Sequence, residues 1–295
     1  MMQKVALLAY EKRFVRVMNY INSQLCENLN LDDLCRVANF SKYHFHRQFS
    51  DYFGISVHRY IQLLRLKRAS YQLAFRKQLK ITDIALNCGY ENLESFSRAF
   101  KNFIGQTPSQ FREEPQWKPW GEKYQPLKIG RFLKMQSTTQ DRKVNIVQFP
   151  KTRLAALEHQ GPDSTLGDTI RRFIEWRKKH NVLPAKSKTY NLLYNDADSN
   201  AAEQIRIDIC AEVNHDVVEN KEGVVSKIIE AGRCALLRHV GSESALSDSI
   251  HYLYAKWLPQ SGEELRDFPV FLHRVTLFPD LAEHENIVDI YLALK

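Results

Sequence analysis

Two stretches of the sequence place hydrogen-bonding side chains along one side of a predicted helix. Phenylalanines recur every three or four residues on the opposite side, so the polar side chains should face outward. The outward residues are Lys42, Tyr43, His46, Arg47 and Ser50 in the first stretch, and Glu94, Ser97, Arg98 and Lys101 in the second. An arginine so placed can donate two parallel hydrogen bonds to guanine, while the other side chains suit phosphates and base edges. The chemistry indicated is that of reading double-stranded DNA.

Each outward face needs a preceding helix and a tight turn to present it. Asn30 can cap one helix and Ser41 the next, which is predicted to end near Phe53. A second pair begins at Ile81 and turns at Gly89. Both pairs have the form of a helix-turn-helix, in which the second helix enters the major groove.

A long helix predicted over residues 57–75 separates the two units. Its nineteen residues span roughly 28 Å at about 1.5 Å per residue. That length is close to one turn of DNA, about 34 Å. One chain can therefore place two recognition helices in successive major grooves on one side of a duplex.

Surface ion pairs offer another interpretation of these arginines. Arg47 is four residues from Asp51, and Arg98 is four residues from Glu94, so each can pair along its own helix. His44 and His46 point in different directions on a helix and are poor joint ligands for a metal. No metal site is expected.

Residues 41–69 and 81–112 carry a family resemblance. The strings are SKYHFHRQFSDYFGISVHRYIQLLRLKRA and ITDIALNCGYENLESFSRAFKNFIGQTPSQFR. They resemble the tandem helix-turn-helix domain of the AraC family of bacterial transcription factors, a resemblance that covers about the first 113 residues and implies sequence-specific promoter binding. The base-facing positions it implies are Tyr43, His46, Arg47, Leu93, Glu94, Ser97 and Arg98. Leu93 and Glu94 depart from the uncharged polar residues often found there; Glu94 can accept from cytosine or repel phosphate.

Charge divides the 295 residues unevenly. Residues 1–115 carry a net +7, residues 116–144 carry +5 and residues 145–295 carry −4. We predict a DNA-binding domain over 1–113, a loosely structured basic linker over 114–143 and a second domain over 144–295. No membrane segment or leader is evident, so a cytoplasmic protein is expected. The five cysteines are interpreted as buried hydrophobic residues in a reducing compartment.

The second domain contains an internal repeat. At an offset of 80 positions, residues 153–177 align with 233–257, and the matches include His159 with His239 and Gly161 with Gly241. Each copy is predicted to form a β-α-β-β unit. The whole chain is therefore predicted to join an all-α tandem helix-turn-helix domain to a duplicated α+β domain with an antiparallel sheet. A seam between two such halves is a natural place for a pocket.

Residues 144–295 resemble a known effector-binding domain. The strings are LAALEHQGP, FIEWRKKHNVLP, YNLLYNDADSNAAEQIRIDICAEV and VDIYLAL. They are similar to the gyrase-inhibitor-like domain of some multidrug-sensing regulators, which implies a groove for amphipathic, often cationic, small molecules. Candidate wall residues are Trp176, Tyr194, Trp257 and Phe271, for each of which core packing is an equal alternative. Members commonly carry a glutamate at the position of Leu272, so the cation partner is missing here.

These features predict a non-enzymatic transcription regulator that senses a small hydrophobic or amphipathic molecule. The expected partners are double-stranded promoter DNA, that small molecule and RNA polymerase, with no membrane and no cofactor. An alternative is that the second domain binds a protein. A further alternative is a small-molecule hydrolase, which would need an acid near Leu272, and no nucleophile motif is present.

Overall fold

A computed structural model describes the chain except for residues 1, 28, 125–126, 128–141, 195–204, 278–279 and 281–284. It divides into two compact units. One comprises Met1–Gln140 with Ser242–Ala245 and Phe278–Glu285, and the other comprises Asp141–Gly241, Leu246–Leu277 and Asn286–Lys295. The predicted limits at residues 113 and 144 stay a prediction. Among the described helices, none combines the length and apolar character needed to cross a membrane.

The first unit is built from helices, as predicted. They are α1 (Met2–Ser23), α2 (Leu31–Ala38), α3 (Lys42–Phe53), α4 (Val57–Phe75), α5 (Ile81–Asn87), α6 (Leu93–Ile104), α7 (Pro108–Glu113) and α8 (Trp117–Lys123). The Asn30 side chain accepts from the Asp32 amide at 3.0 Å, which satisfies an amide that the helix itself leaves without a partner. Ser41 is the N-cap of α3, but its side chain makes no capping hydrogen bond.

Part of the predicted linker is helical. Helix α8 begins at Trp117, and the Trp117 ring is buried against Phe75, Phe111 and Trp120. The expectation of loose structure is therefore wrong for residues 117–123. Burial of the apolar Trp117 ring favours the helix over the turn that Pro119 and Gly121 suggest. Pro119 is compatible with this helix because it lies in the first turn, where proline is tolerated. Between residues 124 and 141, only residues 124 and 127 of the linker are described.

The second unit is a duplicated α+β domain, as predicted, around one antiparallel sheet that has eight strands among the described residues. These are β1 (Val144–Phe149), β2 (Thr152–Gly161), β3 (Thr189–Leu193), β4 (Ile205–Glu212), β5 (Val224–Ile229), β6 (Gly232–Val240), β7 (Val270–Arg274) and β8 (Ile287–Ala293), in the order β1-β6-β8-β7-β3-β4-β2-β5. Helix α9 (Leu166–Lys179) follows β2. Helix α10 (Leu246–Tyr252) follows β6 and continues through a π-helical turn into α11 (Leu258–Ser261). Each copy of the repeat contains one more strand at its start than predicted. These additional strands are β1 and β5, which also lie 80 positions apart.

Short connections force this sheet to curl. Only residues 150 and 151 join β1 to β2, although six strand steps separate the two in the sheet. A flat sheet would hold them about 29 Å apart at about 4.8 Å per strand, whereas the connection reaches at most about 11 Å. Residues 230 and 231 impose the same constraint between β5 and β6. One face of the sheet must therefore be concave.

The two faces of the sheet differ in what covers them. On one face, two apolar clusters pack the strands against α9 and against α10 with its π-helical turn. The described members of the apolar cluster on the other face come from strands or from positions 194 and 268. Aromatic rings of this cluster contact each other across the curled sheet: the ring centre of Phe149 lies 6.2 Å from that of Tyr190 and 5.0 Å from that of Phe271. This second face, here called the concave face, has no helix in its described cluster.

The cysteines are free, and four of them are buried as predicted. Cys26 is exposed, which corrects the expectation for that residue. It lies in the turn after α1, where its Sγ accepts from the Arg68 guanidinium at 2.7 Å.

Candidate DNA-reading surface and ligand face

Helix α3 presents the first set of predicted DNA-contacting side chains. Arg47 is exposed, while His46 is half-buried and stacks on His58 with ring centres 5.9 Å apart. Lys42 is exposed but forms an ion pair with Asp32 at 2.5 Å, which ties it to α2. Helix α3 runs through Tyr43, whose side chain lies outside the described residues. The helix therefore offers Arg47 as its most accessible charged donor among the predicted set.

The ion-pair interpretation of Arg47 finds limited support. Its Nε lies 3.9 Å from an Asp51 carboxylate oxygen, and the two side chains are 86% and 75% exposed. Exposed pairs of this kind contribute at most about 1 kcal/mol. The pair is weak enough for a duplex to displace it.

Helix α6 presents the second set in a similar way. Leu93, Glu94, Arg98 and Lys101 are exposed, and Ser97 is half-buried. Within the described residues, the alternative ion pair between Arg98 and Glu94 does not form. The Asn92 side chain accepts from the Ser95 amide at 2.8 Å, which fixes the start of the helix.

Buried phenylalanines hold both recognition helices. Phe45, Phe49 and Phe53 are buried along α3, and Phe96, Phe100 and Phe103 along α6, as the spacing predicted. Phe49 also contacts the rings of Phe14 and Tyr60, so α3 packs on both α1 and α4. The polar stripes are therefore directed away from the core.

Arg65 is a positioning residue that sequence reasoning missed. From α4, its guanidinium donates to the carbonyls of Leu25 and Glu27 at 2.9 and 2.8 Å, before the first helix-turn-helix. It also fills the space beside Gly89, in the turn of the second unit: a Cβ there would lie 2.6 Å from Arg65 Cζ, and Gly89 has a φ of +73°. The positive φ and the close guanidinium both favour glycine in that turn. The spacing of Arg65 on a helix gave no signal of these distant contacts.

The four candidate wall residues and Leu272, which completes the predicted effector set, do not come together. Trp176, Trp257 and Leu272 belong to the helix-covered face, where Trp176 is buried and stacks on Phe173. Tyr194 and Phe271 belong to the concave face. There the Phe271 ring lies parallel to that of Tyr291 at 4.9 Å. Their roles in ligand contact stay a prediction, and only Tyr194 and Phe271 share a surface.

The concave face contains a buried carboxylate, Asp208, in the β4 strand. The side chain is 1% exposed. Its Oδ2 accepts from Lys227 Nζ and from the Tyr194 hydroxyl, both at 2.7 Å. The same ammonium contacts Glu158 at 2.6 Å. Burial alone would lower the pKa of Lys227, but these hydrogen bonds raise it above its ordinary value, and the bond from Lys227 lowers the pKa of Glu158.

The second copy of the repeat holds a matching carboxylate, Asp289. It lies in β8 opposite Arg238 of β6, as Asp208 lies opposite Glu158 of β2. The Arg238 guanidinium donates to both Asp289 oxygens, at 2.7 and 2.8 Å. Each copy thus buries one acidic side chain on the concave face and neutralises it with a cation of the chain.

The two repeated histidines form matching buried contacts. His159 Nδ1 lies 2.8 Å from Thr169 Oγ1, and His239 Nδ1 lies 2.8 Å from Ser249 Oγ. Burial lowers the pKa of His159. Because Thr169 occupies the position of Ser249 in the other copy, the contact ties strand to helix in both halves and is not specific to a serine nucleophile.

Comparison with known families decides what this arrangement is. A family described as a GyrI-like small molecule binding domain matches residues 142–295. The chain belongs to the GyrI-like family. A helix-turn-helix domain family matches residues 34–114. This GyrI-like protein is therefore an AraC-type DNA-binding regulator with a small-molecule-binding domain, as the sequence predicted.

Two curated relatives each match only part of the GyrI-like protein. The probable transcriptional regulator YgiV of Escherichia coli K12 is 33% identical over 152 residues, 51% of this chain and 95% of YgiV. The right origin-binding protein of the same strain is 34% identical over 113 residues, 38% of either chain. A crystal structure of the EcmrR C-terminal domain matches 53% of this chain and 99% of that chain at 15% identity and a TM-score of 0.44.

Proposed function

We propose that this regulator binds a bipartite promoter site, with α3 and α6 in successive major grooves and Arg47 and Arg98 each bonded to a guanine. The observation that carries the proposal is the repeated presentation of an exposed arginine on a recognition helix whose opposite side is buried. Tyr43, His46, Ser97, Leu93 and Glu94 complete the base-facing sets, with Glu94 accepting from a cytosine amino group. Lys42 and Lys101 are assigned to phosphates.

Substitution of the two arginines tests the proposal. A duplex is first selected from random sequence with the full chain, and affinities of Arg47→Ala and Arg98→Ala are then measured for that duplex and its single-base variants. Each change should weaken binding by about 5- to 150-fold and relax preference at one base pair. Lys178→Ala, which removes an exposed charge at the end of α9, is the matched control. Unchanged affinity and base preference in both arginine variants would refute the assignment.

The effector is proposed to be a small hydrophobic or amphipathic molecule that binds on the concave face. Support comes from the aromatic rings at Phe271, Tyr291 and Tyr194, and from the absence of a helix in the described part of that cluster. Both buried carboxylates already have a cationic partner within the chain. A neutral molecule therefore suits this face better than the cations that the missing glutamate would attract.

A thermal-shift screen of the full chain tests the ligand class. Neutral aromatics and hydrophobic amines of equal size are compared, since a ligand that binds only the folded state raises the melting temperature. A shift by a neutral compound that Phe271→Leu abolishes supports the proposal. Shifts by amines alone would contradict the neutral class, and no shift by any compound would favour the protein-interaction alternative.

The role proposed for this chain is regulatory and not catalytic, because its relatives are named as transcriptional regulators. RNA polymerase is the proposed partner at the promoter, in the bacterial cytoplasm. Transcription in vitro from a promoter carrying the selected duplex should change when the chain is added. If Arg47→Ala changes transcription as much as the wild-type chain does, the effect on transcription does not depend on base recognition by Arg47.

A further inference from the structure

A cavity of about 440 Å³ lies in the helical unit between the first half of α4 and one side of α6. Its lining side chains include Arg59 and Gln62 from α4, and Ser95, Arg98, Asn102 and Phe103 from α6. Only Arg98 of these belongs to the set of predicted base-facing residues. The cavity is thus a separate feature that adjoins the DNA-reading surface.

The lining of the cavity is cationic. It holds two guanidinium groups and no carboxylate. Within the described residues, neither Arg59 nor Arg98 forms an ion pair. Amide and hydroxyl groups of Gln62, Asn102 and Ser95 supply the remaining polar surface. Such a lining favours an anion with several acceptor oxygens.

Arg59 is held in place without a negative partner. Its Cζ lies 4.4 Å from the centre of the Phe103 ring, a cation–π contact. Its Nη1 donates to Gln62 Oε1 at 2.7 Å. A guanidinium has five N–H donors, so most of them are available to a ligand. Fixing the group beforehand reduces the entropy lost when a ligand binds.

The position of the cavity selects one kind of anion. Arg98 reaches both the cavity and the base-facing stripe of α6, so a duplex whose major groove receives α6 brings its backbone beside the cavity. We propose that Arg59, with Gln62 and Asn102, binds one backbone phosphate of the DNA that α6 reads. The inference rests on the proposed function, since it requires α6 to lie in a groove. Arg59 then fixes the register of the helix, and Arg98 reads the base.

Binding of Arg59→Gln to DNA tests the site. Affinities of the full chain are measured against salt concentration for the selected duplex and for a scrambled duplex of equal length. Loss of one phosphate contact should weaken both by the same factor, roughly tenfold, and make the salt slope shallower by about 0.9. Arg59→Lys should keep the slope because it keeps the charge. Lys178→Gln, in the other unit, should behave as wild type.

Neutral methylphosphonate linkages locate the contact. They replace backbone phosphates one at a time in the α6 half-site. One position should weaken wild-type binding about as much as Arg59→Gln does, and should cost that variant nothing further. A merely structural effect of Arg59→Gln would instead add to every substitution, which would overturn the proposal.

Other outcomes separate this site from the wider function. Equal salt slopes for wild type and Arg59→Gln, with base preference lost in Arg98→Ala, would refute the phosphate site alone. If the Arg47 and Arg98 variants also bind as wild type, the proposed function fails. Equilibrium dialysis with thymidine monophosphate tests whether the cavity binds a free anion instead. Saturable binding of this nucleotide without DNA, lost in Arg59→Gln, would assign the cavity to a nucleotide and overturn the DNA assignment.

Discussion

Replacement of Lys227 by methionine should selectively destabilise the second unit. The change removes the ammonium and keeps most of the apolar side chain, so the Asp208 carboxylate stays buried with the Tyr194 hydroxyl as its remaining described partner. Breaking a buried ion pair in this way costs about 3–5 kcal/mol. The Lys227 side chain is 21% exposed, so water can reach the site. We therefore expect about 3 kcal/mol, the lower end of that range.

A double variant separates charge burial from packing. Adding Asp208→Asn to Lys227→Met removes the buried charge, and the combined cost should fall to about 1 kcal/mol. The difference between the single and the double variant, about 2 kcal/mol, is then the cost of leaving the buried carboxylate without its cation. Glu158→Gln should cost less than about 1 kcal/mol, because its carboxylate is half exposed.

Hydrogen exchange by mass spectrometry is the assay, since it reports opening free energies separately for peptides of each unit. Peptides covering β2, β4 and β5 should lose protection in Lys227→Met, and peptides covering α3 and α6 should not. Lys178→Met, an exposed lysine with the same chemical change, should leave all peptides unaffected. If the single and double variants lose equal protection, the buried charge is not the cause and the reasoning fails.

Three further outcomes follow from other buried groups. Arg177→Met should cost about 3 kcal/mol and lower the melting temperature of the second unit, because the buried guanidinium donates to two carbonyls and to Thr189 at 2.6 to 3.0 Å; Arg172→Met, from an exposed position, should cost less than 1 kcal/mol. The second unit should lose stability as pH falls below about 6.5, because burial lowers the pKa of His159 and only the unfolded chain takes up the proton. Urea unfolding measured against pH should show that the free energy of unfolding depends less steeply on pH in His159→Gln. An unchanged pH dependence in that variant would contradict this reasoning. Phe49→Ala should cost about 3–5 kcal/mol in the helical unit and abolish DNA binding while β-strand exchange is unchanged; equal loss of protection in both units would refute the assignment to one core.

The helical unit was largely predictable because its signals are local. Phenylalanine spacing gave the buried side of α3 and α6, and Asn30 and Ser41 gave the starts of α2 and α3. What escaped prediction was carried by residues distant in sequence. Arg65 bonds carbonyls about forty positions away, and Arg59 meets Phe103 from another helix. No periodicity within a helix encodes such contacts.

The second unit shows how far a repeat alone can lead. Matching residues at an offset of 80 gave two copies, and extending the same offset to 144–149 and 224–229 would have given the missed first strands. The hydroxyl partners of the histidines were also present as Thr169 and Ser249. Strand order was not predictable, since alternation fixes which side chains share a face and not which strand lies next to which. The effector residues were therefore grouped across two faces.

The strand order has a consequence for how this domain can be divided. Strand β1 pairs with β6, and β5 pairs with β2, so each copy of the repeat lends its first strand to the other copy. Neither copy is a complete sheet by itself. In a single copy produced alone, the first strand would have no partner strand from the other copy. The edge of β2 or β6 would be left unpaired and able to bind a strand of another chain. Two such chains can satisfy each other by the same reciprocal exchange, so a single repeat produced alone is expected to assemble as a swapped homodimer.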